Sequence, residues 1–205
     1  MKKDDQRTRL TKMLIRQALT ALLRQKPIQS ITIKELCAQA GINRGTFYAH
    51  YADIYDLMQQ LEDEMMADFQ AALEPLRQDD PQDLTPVKIT TRIFGCIRDN
   101  ADLSTVMLGP YGDKDFAARL LEYAREYTLK SYRSYFEHAS PRQIEYYYAF
   151  VSAGCLGLLQ KWIGDGMTTS AAEIAQAAEG IMLGGIHFLS QGESISPGCP
   201  VFQEV

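Results

Sequence analysis

The stretch from Thr32 to Tyr51, TIKELCAQAGINRGTFYAHY, decides the fold of this chain of 205 residues. It holds two short segments with helical spacing of apolar residues, separated by Gly41, a residue type that tolerates the left-handed backbone conformation of a helix end. Thr32 and Glu35 have the spacing of a capping box, which fixes the start of the first helix. Asn43 is a favoured N-cap for the second helix. The stretch therefore predicts two helices joined by a tight turn.

Apolar residues inside the same stretch predict how the two helices pack. Ile33, Leu36 and Cys37 recur on one face of the first helix and are expected to point inward. Ile42 is placed to fill the corner at the turn, and Phe47 to pack beneath the second helix. This is the arrangement of a helix-turn-helix, in which the second helix presents its outward side chains to the major groove of DNA.

The outward residues of the second helix suit contact with a duplex. The Arg44 guanidinium can form a bidentate pair with guanine or bind a phosphate, and Thr46 can meet a base edge or a thymine methyl group. Gly45 keeps the helix surface low, so the backbone can approach. Phenol, imidazole and ammonium groups, and the free amides at the helix starts, suit phosphate oxygens. The predicted DNA-binding residues are Thr32, Lys34, Asn43, Arg44, Gly45, Thr46, Tyr48, His50 and Tyr51.

Charge is distributed unevenly along the chain. Residues 1–51 hold ten Lys and Arg against three Asp and Glu, a net charge of +7, whereas residues 52–205 carry a net charge of −12. A cationic end on an anionic body is typical of a protein that contacts a polyanion with one end only. Chance clustering of charges on a solvated face is the alternative interpretation.

Apolar residues recur at spacings of three and four along the whole chain, and alternation with period two is nearly absent. The pattern predicts an all-α protein of about nine helices. We place a three-helix DNA-binding domain at 1–52, with the helix-turn-helix motif at 31–50, and a helical body for effector binding and dimerisation at 53–205. The main helices are predicted near 7–25, 32–41, 43–50, 53–73, 87–99, 102–108, 114–137, 140–163 and 170–189.

Several function classes find no support in the sequence. The chain shows no export signal, and its longest apolar stretch, 146–159, is shorter than the roughly 18 residues that a membrane span needs. Its four cysteines and three histidines have no metal-binding spacing, and neither a nucleophile elbow nor a phosphate loop is present. We therefore expect a cytoplasmic protein that is not an enzyme and needs no metal or cofactor.

The helix-turn-helix resembles that of the TetR/AcrR family of regulators, whose DNA-binding domain carries a glycine turn, a Thr-[Leu/Phe]-Tyr core and a following His-Phe. The matching residues here are Gly41, Thr46-Phe47-Tyr48 and His50-Tyr51. The resemblance covers about residues 8–68, so the family-type domain extends to about residue 68. It implies that the side chains of Thr46, Tyr48, His50 and Tyr51 face DNA.

At one position the chain departs from that family. Members often place a lysine three residues after the His-aromatic pair, where it meets phosphate, and this chain has Ile54 there. The resemblance therefore implies one phosphate contact fewer, which would lower the salt dependence of DNA binding by about one unit of slope. Lys34, or Arg7 and Arg9 in the N-terminal arm, can replace that contact.

The helix predicted at 140–163 is apolar nearly all round and must be covered on both sides. Its neighbour at 170–189 carries apolar and small residues at heptad-like spacing. These two helices from each of two subunits would form a four-helix dimer interface, as the family resemblance also implies. The alternative is that they complete the core of a monomer. The predicted interface residues are Tyr148, Val151, Cys155, Leu158, Ile174, Ala178, Ile181, Gly185 and Phe188.

Aromatic residues in the body predict a ligand cavity. Aromatic side chains with a few phenolic donors are common in small-molecule sites, although at helical spacing they also form plain core. The predicted lining residues are Phe94, Met107, Tyr111, Phe116, Tyr123, Tyr127, Tyr132 and Trp162. The C-terminal region also resembles that of a TetR-like subgroup, through Trp162, Gly166 and Met167, and some relatives of this kind act through a partner regulator.

These features predict a DNA-binding transcription regulator. We expect a homodimeric, ligand-responsive repressor that binds a palindromic operator, with two recognition helices about 34 to 36 Å or more apart. The sequence does not identify its small-molecule effector. The alternative is a co-regulator of the same fold that acts through a protein partner instead of its own operator.

Overall fold

The computed structural model describes residues 2–80, 83–109, 111–136 and 138–185. All regular secondary structure in these ranges is helical, which confirms the all-α class. Two 3₁₀ turns, Ile28–Ser30 and Glu74–Arg77, accompany nine α-helices in the described ranges. The helices are α1 (Lys2–Leu23), α2 (Ile33–Ala40), α3 (Arg44–Tyr48), α4 (Ile54–Leu73), α5 (Pro86–Asp99), α6 (Ala101–Met107), α7 (Lys114–Tyr135), α8 (Pro141–Gly164) and α9 (Ala171–Gly184).

Helix starts follow the caps that the sequence predicts. The side chains of Thr32, Asn43 and Asp53 each accept a hydrogen bond from a backbone amide in the first turn of α2, α3 and α4. Ser140 and Ser170 open α8 and α9 with complete capping boxes. Because each cap satisfies amide groups that would otherwise lack partners, these starts are fixed by local sequence.

One hydrophobic cluster runs from Ile15 in α1 to Ala178 in α9. α1 packs on α2, α4 lies against α5 and α7, α5 packs along α9, and α7 packs on α8. Two ion pairs also connect helices that are distant in sequence. Arg16 in α1 binds both carboxylate oxygens of Asp102 in α6, at 2.8 and 2.9 Å, and Arg119 in α7 binds the buried Glu62 in α4.

The connection between α6 and α7 requires glycine. A Cβ atom at Gly112 would lie 1.9 Å from the carbonyl oxygen of Met107, and one at Gly109 would lie 2.3 Å from that of Thr105. These distances are shorter than any van der Waals contact, so no other residue fits without a shift of the backbone. In the turn that the sequence predicts here, the backbone at Gly109 and Gly112 therefore passes close to the backbone at the end of α6.

No helix in the described part of the chain has the length and apolar character to cross a membrane. The same residues contain no group of three or more His, Cys, Asp or Glu side chains arranged to hold a metal ion. Cys37, Cys96 and Cys155 are free thiols. Burial raises the pKa of Cys96 and Cys155 to about 11, so both remain protonated near neutral pH.

Candidate nucleic-acid interface

Phe47 and Tyr48 are neighbours in α3 with opposite environments. Phe47 has no exposed surface and belongs to the core, together with Leu36 of α2. Tyr48 has 56% of its surface exposed, and its ring meets that of Phe47 edge-on with centroids 5.6 Å apart. Since Gly41 adopts a φ of 67° at the end of α2, the chain turns sharply and α3 is held against the core by Phe47. The outward side of this short helix is left to solvent.

The polar residues that flank Tyr48 are open to solvent or half-buried. We call this set the head surface: the side chains of Thr32, Lys34, Asn43, Arg44, Thr46, Tyr48 and His50. Thr46 and His50 are half-buried, and the others are exposed. Gly45 is exposed between Arg44 and Thr46. Eight of the nine predicted DNA-binding residues therefore have surface available for a partner.

A hydrogen-bonded cap gives the start of α3 a defined geometry. The Asn43 Oδ1 atom accepts hydrogen bonds from the backbone amide of Thr46 at 2.8 Å and from its Oγ1 hydroxyl at 3.1 Å. A Cβ atom at Gly45 would lie 3.3 Å from the same Oδ1 atom. The glycine therefore does more than keep the surface low, because a side chain there would crowd the cap that orients Thr46. This contact with the cap was not predicted from the sequence.

An internal ion pair neutralises the carboxylate of α2. The Lys26 ammonium group contacts both oxygens of Glu35, at 2.8 and 2.7 Å, and these hydrogen bonds lower the pKa of Glu35. Glu35 thus directs its carboxylate to Lys26. Its backbone amide donates a hydrogen bond to the Thr32 hydroxyl, as predicted. Within the described part of the chain, Lys34 and Arg44 form no ion pair. Both cations of the head surface therefore remain available to an anion.

The structure corrects the prediction for Tyr51. Only 5% of its surface is exposed, and its ring packs 5.7 Å from that of Phe47. Burial raises the pKa of Tyr51, and the nearby carboxylates of Glu64 and Asp56 add to this effect. Tyr51 therefore belongs mainly to the core, and for this reason the head surface does not include it. Helical spacing placed it at the end of the motif but could not determine which way its ring turns.

Lys12, which is not among the predicted DNA-binding residues, lies beside Tyr51. The Lys12 ammonium group of α1 is 5.9 Å from the centroid of the Tyr51 ring, and the Lys12 side chain is exposed. Ile54 is 94% buried, which accounts for an apolar residue at the position where related proteins often carry lysine. Arg7 and Arg9 are exposed on α1. Lys12 is thus a third exposed cation of α1, in addition to Arg7 and Arg9.

An apolar cavity lies inside the body, between α5, α7 and α8. Ile89 and Phe94 form part of the α5 wall, Leu120 part of the α7 wall, and Phe69 and Met182 contribute from α4 and α9. Its volume is about 90 Å³. The sequence predicted a cavity in the body, but with a largely aromatic wall. The wall is mainly aliphatic.

Most residues predicted to line this cavity lie elsewhere, and only Phe94 and Tyr132 are in its wall. Met107 and Phe116 are buried in the core, and Tyr111 is 51% exposed. Tyr123 and Tyr127 contact each other at a surface cleft, where the hydrogen bond to Tyr127 raises the pKa of Tyr123 to about 12. Spacing along α7 did not show which of its aromatic residues face the cavity, because several of them pack against neighbours without enclosing space.

Trp162 is the remaining correction, because it builds the turn between α8 and α9. Its indole nitrogen donates a hydrogen bond to the carbonyl oxygen of Thr169 at 3.0 Å, and Arg98 of α5 donates to the same oxygen at 3.0 Å. The Met167 amide donates to the Trp162 carbonyl at 2.9 Å, and Gly166 has a φ of 75°. The Trp-x-x-x-Gly-Met pattern therefore describes a structural turn.

The predicted dimer face of α8 also points inward. Tyr148, Val151 and Cys155 line the cavity. Leu158, Ile174 and Ala178 pack on the core of the same protomer, whereas Ile181 and Gly185 are exposed. Phe188 lies outside the described residues. Because α8 is apolar on all sides, periodicity could not distinguish its inner face from its outer face.

Two sequence families match this chain. The family described as "Bacterial regulatory proteins, tetR family" matches residues 15–61, which include the helix-turn-helix. A family described as "Transcriptional regulator C-terminal region" matches residues 85–184. A curated relative from Bacillus subtilis (strain 168), the uncharacterized HTH-type transcriptional regulator YxbF, is 35% identical over 51 residues. That match covers 25% of this chain and 13% of YxbF.

Solved structures with the same fold cover most of the chain. A TetR transcriptional regulator from Streptococcus agalactiae 2603V aligns over 87% of this chain and 97% of its own, with 18% identity and a TM-score of 0.58. The dihydroxyacetone kinase operon activator DhaS aligns over 86% and 96%, with 16% identity and a TM-score of 0.53. FadR from Bacillus subtilis, solved in complex with stearoyl-CoA, aligns over 85% and 99%, with 12% identity and a TM-score of 0.58.

The two family matches and the helix-turn-helix geometry agree with the fold neighbours. The N-terminal match contains α2, α3 and the first turns of α4, and the C-terminal match contains α5 to α9. The chain belongs to the TetR family of DNA-binding transcriptional regulators.

Proposed function

We propose that this protein is a dimeric repressor that binds a palindromic operator through the head surface and responds to a small molecule bound in the body. One observation carries the proposal: α3 buries Phe47 while it exposes Arg44 and Tyr48 on its outer side. A recognition helix needs this division, because one face must be fixed to the protein while the other enters the groove.

Each part of the head surface has a proposed role. Arg44 reads a guanine edge or binds phosphate, and Thr46 contacts a base through its methyl group and free lone pairs, since its hydroxyl proton is directed to Asn43. Tyr48 and His50 position the phosphate backbone. Thr32, Lys34 and Lys12 supply further backbone contacts. We assign the head to residues 1–52 and the body to 53–205.

The outer faces of α8 and α9 support the proposed dimer. Phe150 is 79% exposed and Tyr146 is 62% exposed on α8, and Ile181 is 44% exposed on α9. Gly154 and Gly157 have open space where a Cβ atom would stand, so no close neighbour within the protomer explains them. Large apolar side chains exposed beside glycines suit a helix of a second copy. We propose this outer face as the dimer interface.

Helix α4 offers a path between the body and the head. It starts at Ile54, directly after the helix-turn-helix, and its Phe69 side chain forms part of the cavity wall about four turns later. Glu62, between them, is held by Arg119 of α7. A ligand that favours one arrangement of these helices would shift the population of head positions that fit an operator. Among proteins of this fold, FadR is known in complex with stearoyl-CoA.

The proposal is tested by the DNA that the protein retains. Purified protein is incubated with sheared genomic DNA from its source, and the bound fragments are sequenced and footprinted. We expect a short set of fragments with two protected half-sites related by a two-fold axis and two chains per duplex. Arg44→Ala should lose these fragments. Retention of no fragment above background, with a folded protein, contradicts the proposal and leaves the co-regulator as the alternative.

A further inference from the structure

The hydroxyl groups in the cavity wall are all occupied by bonds within the protein. Thr90 and Thr128 donate to the carbonyl oxygens of Pro86 and Ala124, each at 2.9 Å. Ser152 and Tyr148 donate to the carbonyl oxygens of Ala149 and Leu121, at 3.3 and 3.0 Å. Tyr132 points its hydroxyl at the Met182 sulfur, at 3.8 Å. A polar ligand would find no free donor among these five groups.

The described wall is also without charge. None of the residues that line it is Asp, Glu, Lys, Arg or His, and its single thiol, Cys155, is protonated near neutral pH. A charged group that entered this cavity would lose its hydration and gain no counter-ion. The wall therefore favours hydrocarbon and selects against ionised molecules.

From these two observations we propose that the effector site takes a neutral, predominantly hydrocarbon molecule, and that it excludes carboxylates and amines in their ionised forms. The inference rests on the proposed function, because it names the ligand class of the same regulator. An apolar cavity of this kind remains dry and accepts small apolar molecules, since water would have no partners in it. Any polar group of the effector has to lie at the mouth of the cavity.

The test uses three molecules with the same six-carbon chain: hexanol, hexanoate and hexylamine. The full-length protein, labelled with ¹³C at the methionine methyl groups, is titrated with each of them at neutral pH. Met182 lines the cavity and reports binding, and the exposed Met13 of α1 serves as the internal control. We expect hexanol to shift the Met182 methyl signal with an affinity at least about tenfold above those of hexanoate and hexylamine, and to leave Met13 unchanged.

Two cavity-filling variants identify the site. Ala124→Leu fills the cavity from α7, and Ser152→Leu fills it from α8 and removes a hydroxyl that bonds only to its own helix. Ala118→Leu, on the exposed side of α7, is the matched control. Hexanol affinity should fall at least about fivefold in each filling variant that folds and stay unchanged in the control. If Ala124→Leu does not fold, Ser152→Leu still decides the question.

Two results would overturn the inference. Equal or tighter binding of hexanoate or hexylamine would contradict the selection against charge, and full hexanol affinity in the folded filling variants would place the site elsewhere. The titration needs no DNA, so its failure leaves the proposed DNA binding intact. Conversely, a protein that retains no genomic fragment but binds hexanol at Met182 would contradict the proposed function alone.

Discussion

The head surface and the body cavity treat polar groups in opposite ways. On the head surface, Lys34 and Arg44 form no ion pair with any described residue, and the Tyr48 ring is more than half exposed. In the cavity, every wall hydroxyl is hydrogen-bonded inside the protein and no wall residue is charged. Free donors and cations suit a hydrated polyanion, whereas satisfied donors suit a molecule that makes no hydrogen bonds. In both regions, the kind of partner that can bind depends on whether the polar groups already have partners within the protein.

The largest expected effect is on stability, and it distinguishes the buried side of α3 from its exposed side. Phe47→Ala should lower the free energy of unfolding by about 3 to 5 kcal/mol, because it leaves a cavity in a fully buried site. Tyr48→Ala should change it by less than about 1 kcal/mol, because the ring is mostly exposed. Urea unfolding followed by circular dichroism measures both. Similar losses of stability in the two variants would contradict the division of α3 into a core side and a DNA side.

The next effect compares a cation of the head surface with one of the body. Arg44→Ala should weaken duplex binding by about 10- to 100-fold and reduce the slope of log affinity against log salt by about 0.9 if Arg44 meets a phosphate. Arg92→Ala removes the same charge from the exposed side of α5 and should change neither quantity. Fluorescence anisotropy with a recovered operator fragment, over a series of salt concentrations, gives both values. Equal losses would mean that net charge alone governs binding.

Two glycines of the body test which backbone positions are constrained. Gly112→Ala should lower the free energy of unfolding by about 1 to 3 kcal/mol, since its Cβ would overlap the Met107 carbonyl oxygen. Gly95→Ala, in the middle of α5 with open space around its Cβ, should raise stability by about 0.5 to 1 kcal/mol. Thermal unfolding of the two variants checks the sign of each change. A stabilising Gly112→Ala would refute the close approach of the α6–α7 connection.

The smallest effect concerns the ion pair that joins head and body. A double-mutant cycle of Arg16→Ala and Asp102→Ala should give a coupling energy of about 0.5 to 1 kcal/mol, because both side chains are partly exposed. Burial raises the pKa of Asp102, but the hydrogen bonds and charge of Arg16 outweigh this and hold it below its ordinary 3.8. The coupling should therefore be complete above pH 3.8 and disappear as the pH falls through the lowered pKa. A coupling that grows on acidification would contradict this assignment.

Local sequence predicted the head more accurately than the body. Thr32, Gly41 and Asn43 act through bonds to their own neighbours, so their spacing alone located α2 and α3. Phe47 could be placed inside because a helix-turn-helix leaves a single arrangement for its aromatic core. The prediction for Tyr51 was wrong because the direction of its side chain depends on packing against α1 and α4. Much of both helices is distant from Tyr51 in sequence.

In the body, periodicity identified the helices but not their faces. Ser140 and Ser170 predicted the starts of α8 and α9, since capping boxes are local. Val151 and Cys155 were assigned to a dimer interface and instead line the cavity, because α8 is apolar all round. Trp162 was assigned to a cavity and instead closes a turn with Thr169, a contact whose geometry depends on the φ of Gly166. Only tertiary packing determines such choices.

Photocrosslinking can show whether α3 meets DNA with the side that carries Tyr48, as we propose. The photoreactive residue p-benzoylphenylalanine is placed at Tyr48, 56% exposed in the head, or at Tyr111, 51% exposed in the body. On irradiation of the complex with a recovered operator fragment, we expect a covalent protein–DNA product from position 48 and none from position 111. Crosslinking from position 111, or its absence at position 48 while the duplex remains bound, would contradict the claim.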